Sequence, residues 1–138
     1  MKKILIAITF FIGAFSINAQ TAEHVEDFGA STAIFKFEEE VIDYGKIKKD
    51  SDGNRVFKFT NSGGSPLIIT QTKGSCGCTV PTYQKEPIMP GETGEIKVKY
   101  ATNRVGRFSK TVTITSNASE PKKVIRIKGE VLKPEATK

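Results

Sequence analysis

The chain has 138 residues, 38% of them apolar and 26% charged, with a formal net charge of +6. That length suits one domain, which buries roughly two-thirds of its unfolded surface and needs no metal or staple to fold. The positive excess is mild and no nucleic-acid motif accompanies it, which argues against a nucleic-acid partner.

Met1, Lys2 and Lys3 precede an apolar run from Ile4 to Ile17. Positive charge before a run too short to span a bilayer comfortably is the pattern of a cleavable signal peptide, here residues 1–19. Ala19 supplies a small residue at the cut, although Ile17 is larger than is usual two positions before it. No cysteine follows the site to carry a lipid, and no later segment is apolar enough for a transmembrane helix. Cleavage removes Lys2 and Lys3 and leaves 119 residues of net charge +4. The expected location is extracytoplasmic, in the periplasm or secreted.

Residues 20–32 are polar and aperiodic and read as a flexible leader. From Ala33 to Ile47 the pattern is extended, with Phe35 and Phe37 alternating against polar neighbours and Val41 and Ile42 following. Asp50-Ser51-Asp52-Gly53-Asn54 is a turn by composition. Val56 to Thr60 carries Phe57 and Phe59 two apart, the period of a half-buried strand, so Lys58 faces the other way. Asn61-Ser62-Gly63-Gly64-Ser65-Pro66 breaks that strand, and Leu67-Ile68-Ile69-Thr70 reads as the next. A Pro-rich crossing is expected from Val80 to Pro90, and Pro90-Gly91 marks a turn.

Alternation is cleaner in the second half. Ile96, Val98 and Tyr100 alternate with Lys97 and Lys99; Val112 and Ile114 with threonines; Ile125 and Ile127 with Arg126 and Lys128. Loops at 103–106 and 116–121 separate these runs, and the tail 133–138 is expected to be disordered. Such strands with Gly/Pro/Asn turns and no 3.6-residue period indicate an all-β, immunoglobulin-like β-sandwich of about seven to eight strands over residues 33–132. Antibody hallmarks are absent: there is no Trp, and the two cysteines lie almost side by side. Phe35, Phe37, Phe57, Phe59 and Phe108 are the expected core. The interleaved lysines read as solvated strand faces that discourage edge pairing. A surface for an anionic ligand is the alternative reading of the same lysines.

Asp43-Tyr44-Gly45, Phe59-Thr60-Asn61-Ser62-Gly63 running to Pro66-Leu67-Ile68-Ile69, Ser75-Cys76-Gly77-Cys78-Thr79, Pro90-Gly91-Glu92, Gly106-Arg107-Phe108 and Ser116-Asn117-Ala118 form a joint pattern. Together these segments resemble a bacterial family known as domain of unknown function 1573. The resemblance covers Phe37 to Val131. It implies an exported immunoglobulin-like domain, related in architecture to pilus-chaperone and sperm-protein-like sandwiches. It brings no established activity and no catalytic residue.

Catalytic chemistry finds little support. The one histidine, His24, lies in the leader, so a Ser/His or Cys/His pair would need it to fold back. No nucleophile elbow or phosphate-binding loop occurs. Glu38, Glu39, Glu40 and Asp43 are neighbours on an extended segment that sends successive side chains to opposite faces, unlike paired glycosidase carboxylates. Asp50-x-Asp52-x-Asn54 resembles a calcium loop, but Arg55 stands where Gly is needed and no Glu closes it.

Cys76-Gly77-Cys78 is the distinctive feature. On an extended chain the two Cα atoms would stand about 6.6 to 6.8 Å apart, at the upper edge of disulfide geometry, and Gly77 lets the backbone bend them closer. A three-residue loop gains only about 1.6 kcal/mol from closure, before strain is subtracted, so a staple explains the pair poorly. Three readings stay open: inert residues in a tight turn, a redox or covalent-attachment site, and a soft-metal site in which Cys76 and Cys78 bind Cu(I) with Met89 adding a thioether. Zinc would need more ligands than the chain offers nearby. The expected function is an extracytoplasmic, non-enzymatic binding or structural module, without a cofactor, whose partner is another exported protein or envelope component. Redox or copper handling through the triplet is the alternative.

Overall fold

The computed structural model describes residues 32–136. The expected signal peptide, nearly all of the expected leader and His24 lie outside the described residues. Eight strands follow: β1 Phe35–Phe37, β2 Val41–Lys48, β3 Asn54–Asn61, β4 Ile69–Gly74, β5 Thr79–Tyr83, β6 Thr93–Tyr100, β7 Gly106–Ser116 and β8 Lys122–Leu132. They form two four-stranded sheets, β1-β3-β6-β5 and β2-β8-β7-β4, packed as an immunoglobulin-like sandwich.

Period-two alternation places the core. Gly94, Ile96, Val98 and Tyr100 of β6 turn inward while the residues between them face solvent. Phe57 and Phe59 of β3 meet Val112 and Ile114 of β7 and Ile125 and Ile127 of β8 in one buried cluster. Lys58 and Val56 face out, as their parity requires. Phe108 is buried, whereas Phe35 and Phe37 are only half-buried and cover the ring of Phe59, with centroids 5.0 and 5.3 Å away. The short edge strand β1 leaves their outer side open.

The segment 33–47 is not one strand. β1 pairs antiparallel with β3 in the first sheet, and β2 pairs parallel with β8 in the second. Glu38-Glu39-Glu40 carries the chain across. The Glu38 N–H donates to the Lys58 carbonyl at 3.0 Å, and the Arg126 N–H donates to the Glu40 carbonyl at 2.8 Å. Two expectations are corrected. The strand after Pro66 begins at Ile69, because Leu67 is taken by an isolated bridge to Ile88. The Pro-rich crossing contains β5, an edge strand with Pro81 opposite Val98. Tyr100 donates its N–H toward Gly53, so the alternate backbone groups at Lys97 and Lys99 serve β5. Pro81 therefore turns its missing N–H to the free edge and costs the ladder nothing.

Candidate functional site

β4 ends one sheet and β5 begins the edge of the other, so the Ser75–Cys78 connection is a corner of the sandwich. Gly74 is required there: a Cβ at that position would collide with the Thr79 carbonyl, so the two strands could not approach. The triplet is a tight turn, with the bend that Gly77 permits. The Thr79 N–H closes it onto the Cys76 carbonyl at 3.2 Å. The turn brings the Cα atoms to 5.2 Å, and Cys76 and Cys78 form a disulfide, within the usual range of Cα separation.

The sulfurs have polar neighbours. The Cys78 N–H donates to Cys76 Sγ at 3.2 Å, and Thr79 Oγ1 lies 3.7 Å from Cys76 Sγ and 3.8 Å from Cys78 Sγ. Sulfurs of a disulfide carry no hydrogen, so the Thr79 hydroxyl is the donor. Cys76 is half-buried; Cys78 and Thr79 are buried. In the sequence Thr79 enters only as the last residue of the Ser75–Thr79 segment that carries the family resemblance, with no role attached.

Met89 does not join the pair. Its carbonyl accepts from the Glu92 N–H at the start of β6, while Cys78 pairs with Ala101 beyond the end of β6. Seven residue steps along β6 amount to about 23 Å. The three-ligand set Cys76, Cys78 and Met89 is therefore not assembled, and the oxidised pair offers no thiolate. Among the described residues no group of three or more His, Cys, Asp or Glu side chains is placed to hold a metal ion.

The remaining sequence candidates resolve into structure. Glu40 pairs with Lys123 at 2.8 Å and raises its ammonium pKa, and Asp43 pairs with Lys128 at 3.5 Å. Asp52 accepts the Asn54 N–H at 2.9 Å, which holds its carboxyl below the usual range and shapes a turn. That turn is pinned from beneath by Tyr44, whose hydroxyl donates to the Gly53 carbonyl at 2.8 Å while Arg55 covers its ring at 4.1 Å. Tyr44 meets Phe108 edge-on, and Phe108 stacks on Tyr100, closing the end of the sandwich that carries the disulfide.

The opposite end is organised by two asparagines. Asn61 is fully buried. Its Oδ1 accepts from the N–H groups of Ile34 and Gly63 at 3.2 and 3.0 Å, and its Nδ2 donates to the carbonyls of Ser65 and Ile88 at 2.7 and 2.9 Å. Asn117 Oδ1 accepts from the Ile68 N–H at 2.7 Å, and its Nδ2 donates to the Pro66 carbonyl at 2.9 Å. The loops around Ile34, Ile68 and Met89 are thus tied to one another.

The model of a protein family of unknown function, DUF1573, matches residues 35–131. The chain belongs to this family. No curated protein sequence matches it. A protein of unknown function from Porphyromonas gingivalis W83 is similar in structure, with a TM-score of 0.64 at 16% identity, over 74% of this chain and 48% of that one. This chain thus spans about half the length of that protein. The human CEP192 PapD-like domain 7 gives 0.62 at 6% identity over 75% and 89% of the two chains. A chain of the CsuC–CsuE chaperone–tip adhesion subunit pre-assembly complex of Acinetobacter baumannii gives 0.55 at 13% identity over 72% and 53%. At these identities the likeness is one of fold: this member of the family is a PapD-like, immunoglobulin-like sandwich.

Proposed function

We propose that the protein is an exported, non-enzymatic module that binds another protein of the cell envelope through the loop end of its sandwich. One observation carries this reading. Ile34, Ile68 and Met89 remain 42%, 40% and 48% exposed on loops that Asn61 and Asn117 tie together at a single end. Large apolar side chains held on rigid loops lose little entropy on docking and supply the contact area that protein interfaces use. Strand addition at an edge is a weaker route here. β1 has three residues, β5 carries Pro81, and both β2 and β4 contain a register shift, all devices that discourage pairing. The fold is that of chaperone domains, one of which is found with an adhesion subunit, in keeping with a protein partner.

Site-specific photocrosslinking in the native cell tests it. A crosslinker at Met89 should trap one discrete protein, and the same group at Lys97, on the outer face of β6, should not. The product should disappear in an Ile34→Ser/Ile68→Ser variant whose unfolding midpoint is unchanged. Equal labelling from both positions, or persistence in the double variant, refutes the loop end as the interface. N-terminal sequencing of the native protein should begin near Gln20; an intact Met1 in the cytoplasm would overturn export.

A further inference from the structure

The disulfide corner has no part in that interface, which lies at the other end of β6. Four backbone-directed bonds hold the corner without help from the sulfurs. The Thr79 N–H donates to the Cys76 carbonyl at 3.2 Å, the Ala101 N–H to the Cys78 carbonyl at 2.9 Å, the Ser75 N–H to the Thr111 carbonyl at 2.9 Å, and the Thr111 N–H to Ser75 Oγ at 3.1 Å. None of these bonds is made by a sulfur atom. The bond spans a sequence separation of 2, the loop length at which a crosslink constrains the unfolded chain least. The disulfide is therefore largely redundant as a staple, and opening it does not require the sandwich to unfold.

The two sulfurs are also inequivalent. Cys76 is the half-exposed one and Cys78 the buried one; the Cys78 N–H is aimed at Cys76 Sγ, and the Thr79 hydroxyl lies within reach of both sulfurs. A thiolate formed at either position meets a donor already in place, which favours the charged sulfur.

We propose that Cys76–Cys78 is a reversible thiol–disulfide exchange site that works in the folded protein with an exported dithiol protein as its redox partner. A partner thiolate attacks Cys76 Sγ, an S–S bond forms between the partner and Cys76, and the Cys76–Cys78 bond breaks. Its electron pair leaves on Cys78 Sγ, facing the Thr79 hydroxyl. The partner's second thiolate then attacks its own sulfur in the mixed disulfide and releases Cys76 as a thiolate that keeps the Cys78 N–H bond. Two electrons and the two thiol protons have moved: the partner is now a disulfide and Cys76 and Cys78 are thiols. The reverse sequence reoxidises the pair. Thr79 is a positioning residue that stabilises the departing sulfur.

Full-length purified protein equilibrated with reduced and oxidised glutathione, then quenched and alkylated, tests this by intact mass. The expected result is one reversible two-thiol transition within the glutathione series, with far-ultraviolet circular dichroism unchanged across it. A trapped glutathione adduct should map to Cys76 and not Cys78. A hydrogen bond to a charged group corresponds to about tenfold or more in rate, so Thr79→Val should slow reduction by dithiothreitol by about that factor. A pair that stays oxidised at every ratio, or that is reduced only as the fold is lost, overturns the proposal. Adducts on Cys78 overturn the assigned direction of attack, and an unaltered rate in Thr79→Val overturns the role given to its hydroxyl. The wild-type titration and adduct map decide the main point even if the variant fails to fold. Loss of the Met89 crosslink leaves these readouts untouched, so the two proposals fail separately.

Discussion

Replacing Asn61 by Ala removes a buried amide that makes four hydrogen bonds, two as acceptor and two as donor. The Ile88 carbonyl keeps a second donor, the Leu67 N–H at 2.8 Å. The Ile34 and Gly63 N–H groups lose the acceptor that ties them down, and the Ser65 carbonyl loses its amide donor. At about 1 kcal/mol net for each bond lost at Ile34, Gly63 and Ser65, Asn61→Ala should cost about 3 kcal/mol. Asn61→Asp separates the two halves of the argument. Its carboxylate keeps the acceptors for Ile34 and Gly63 but faces the Ser65 and Ile88 carbonyls without a donor. At neutral pH it should be at least as destabilised as Ala, and it should recover stability as the pH falls and the carboxyl gains an O–H. Urea unfolding followed by circular dichroism measures both, with the denaturant slope checked for constancy. A loss below about 1 kcal/mol for Ala, at unchanged slope, would show that water replaces the amide and that Asn61 is not the clasp of this end.

Three other outcomes are expected. Phe59→Ala should cost about 3 to 5 kcal/mol and Lys58→Ala almost nothing, because one side chain is buried beneath Phe35 and Phe37 and the other is exposed; equal losses in urea melts would contradict the β3 register. Gly74→Ala places a methyl against the Thr79 carbonyl and should cost about 1 to 3 kcal/mol by prying β4 from β5, read as a lowered thermal midpoint. Burial pushes the Tyr44 phenol from 10.0 up to about 12. The folded state then holds its proton more tightly than the unfolded state, so stability is full below pH 10 and declines as the pH rises toward 12, by at most about 2 to 3 kcal/mol. Tyr44→Phe should flatten that alkaline decline, and an identical decline in the variant assigns it to other groups.

Local pattern makes much of this protein legible from its residues alone. Alternation in Glu95–Tyr100 and Lys123–Val131 is a property of the strand itself, since successive side chains must face opposite ways, so β6, β8 and the inward parity of Phe57 and Phe59 follow directly. The Cys-Gly-Cys spacing likewise shows that a disulfide is feasible. What the sequence could not carry is the choice of partner. The break between β1 and β2 depends on Lys58 and Arg126, far along the chain, each bonding one end of the Glu38–Glu40 crossing. β5 is invisible locally because proline argues against a strand, and only an edge place that turns Pro81 outward permits it. Asn61 reads as a loop residue by composition; its four bonds exist because Ile34 and Ile88 arrive from either side of it. Met89 and the cysteines are only 11 residues apart at their nearest, yet β6 separates them, because the strand between two loops sets their distance and sequence separation does not. Side-chain parity is a local consequence of backbone geometry, whereas pairing, corners and hydrogen-bonded clasps arise only when distant segments meet.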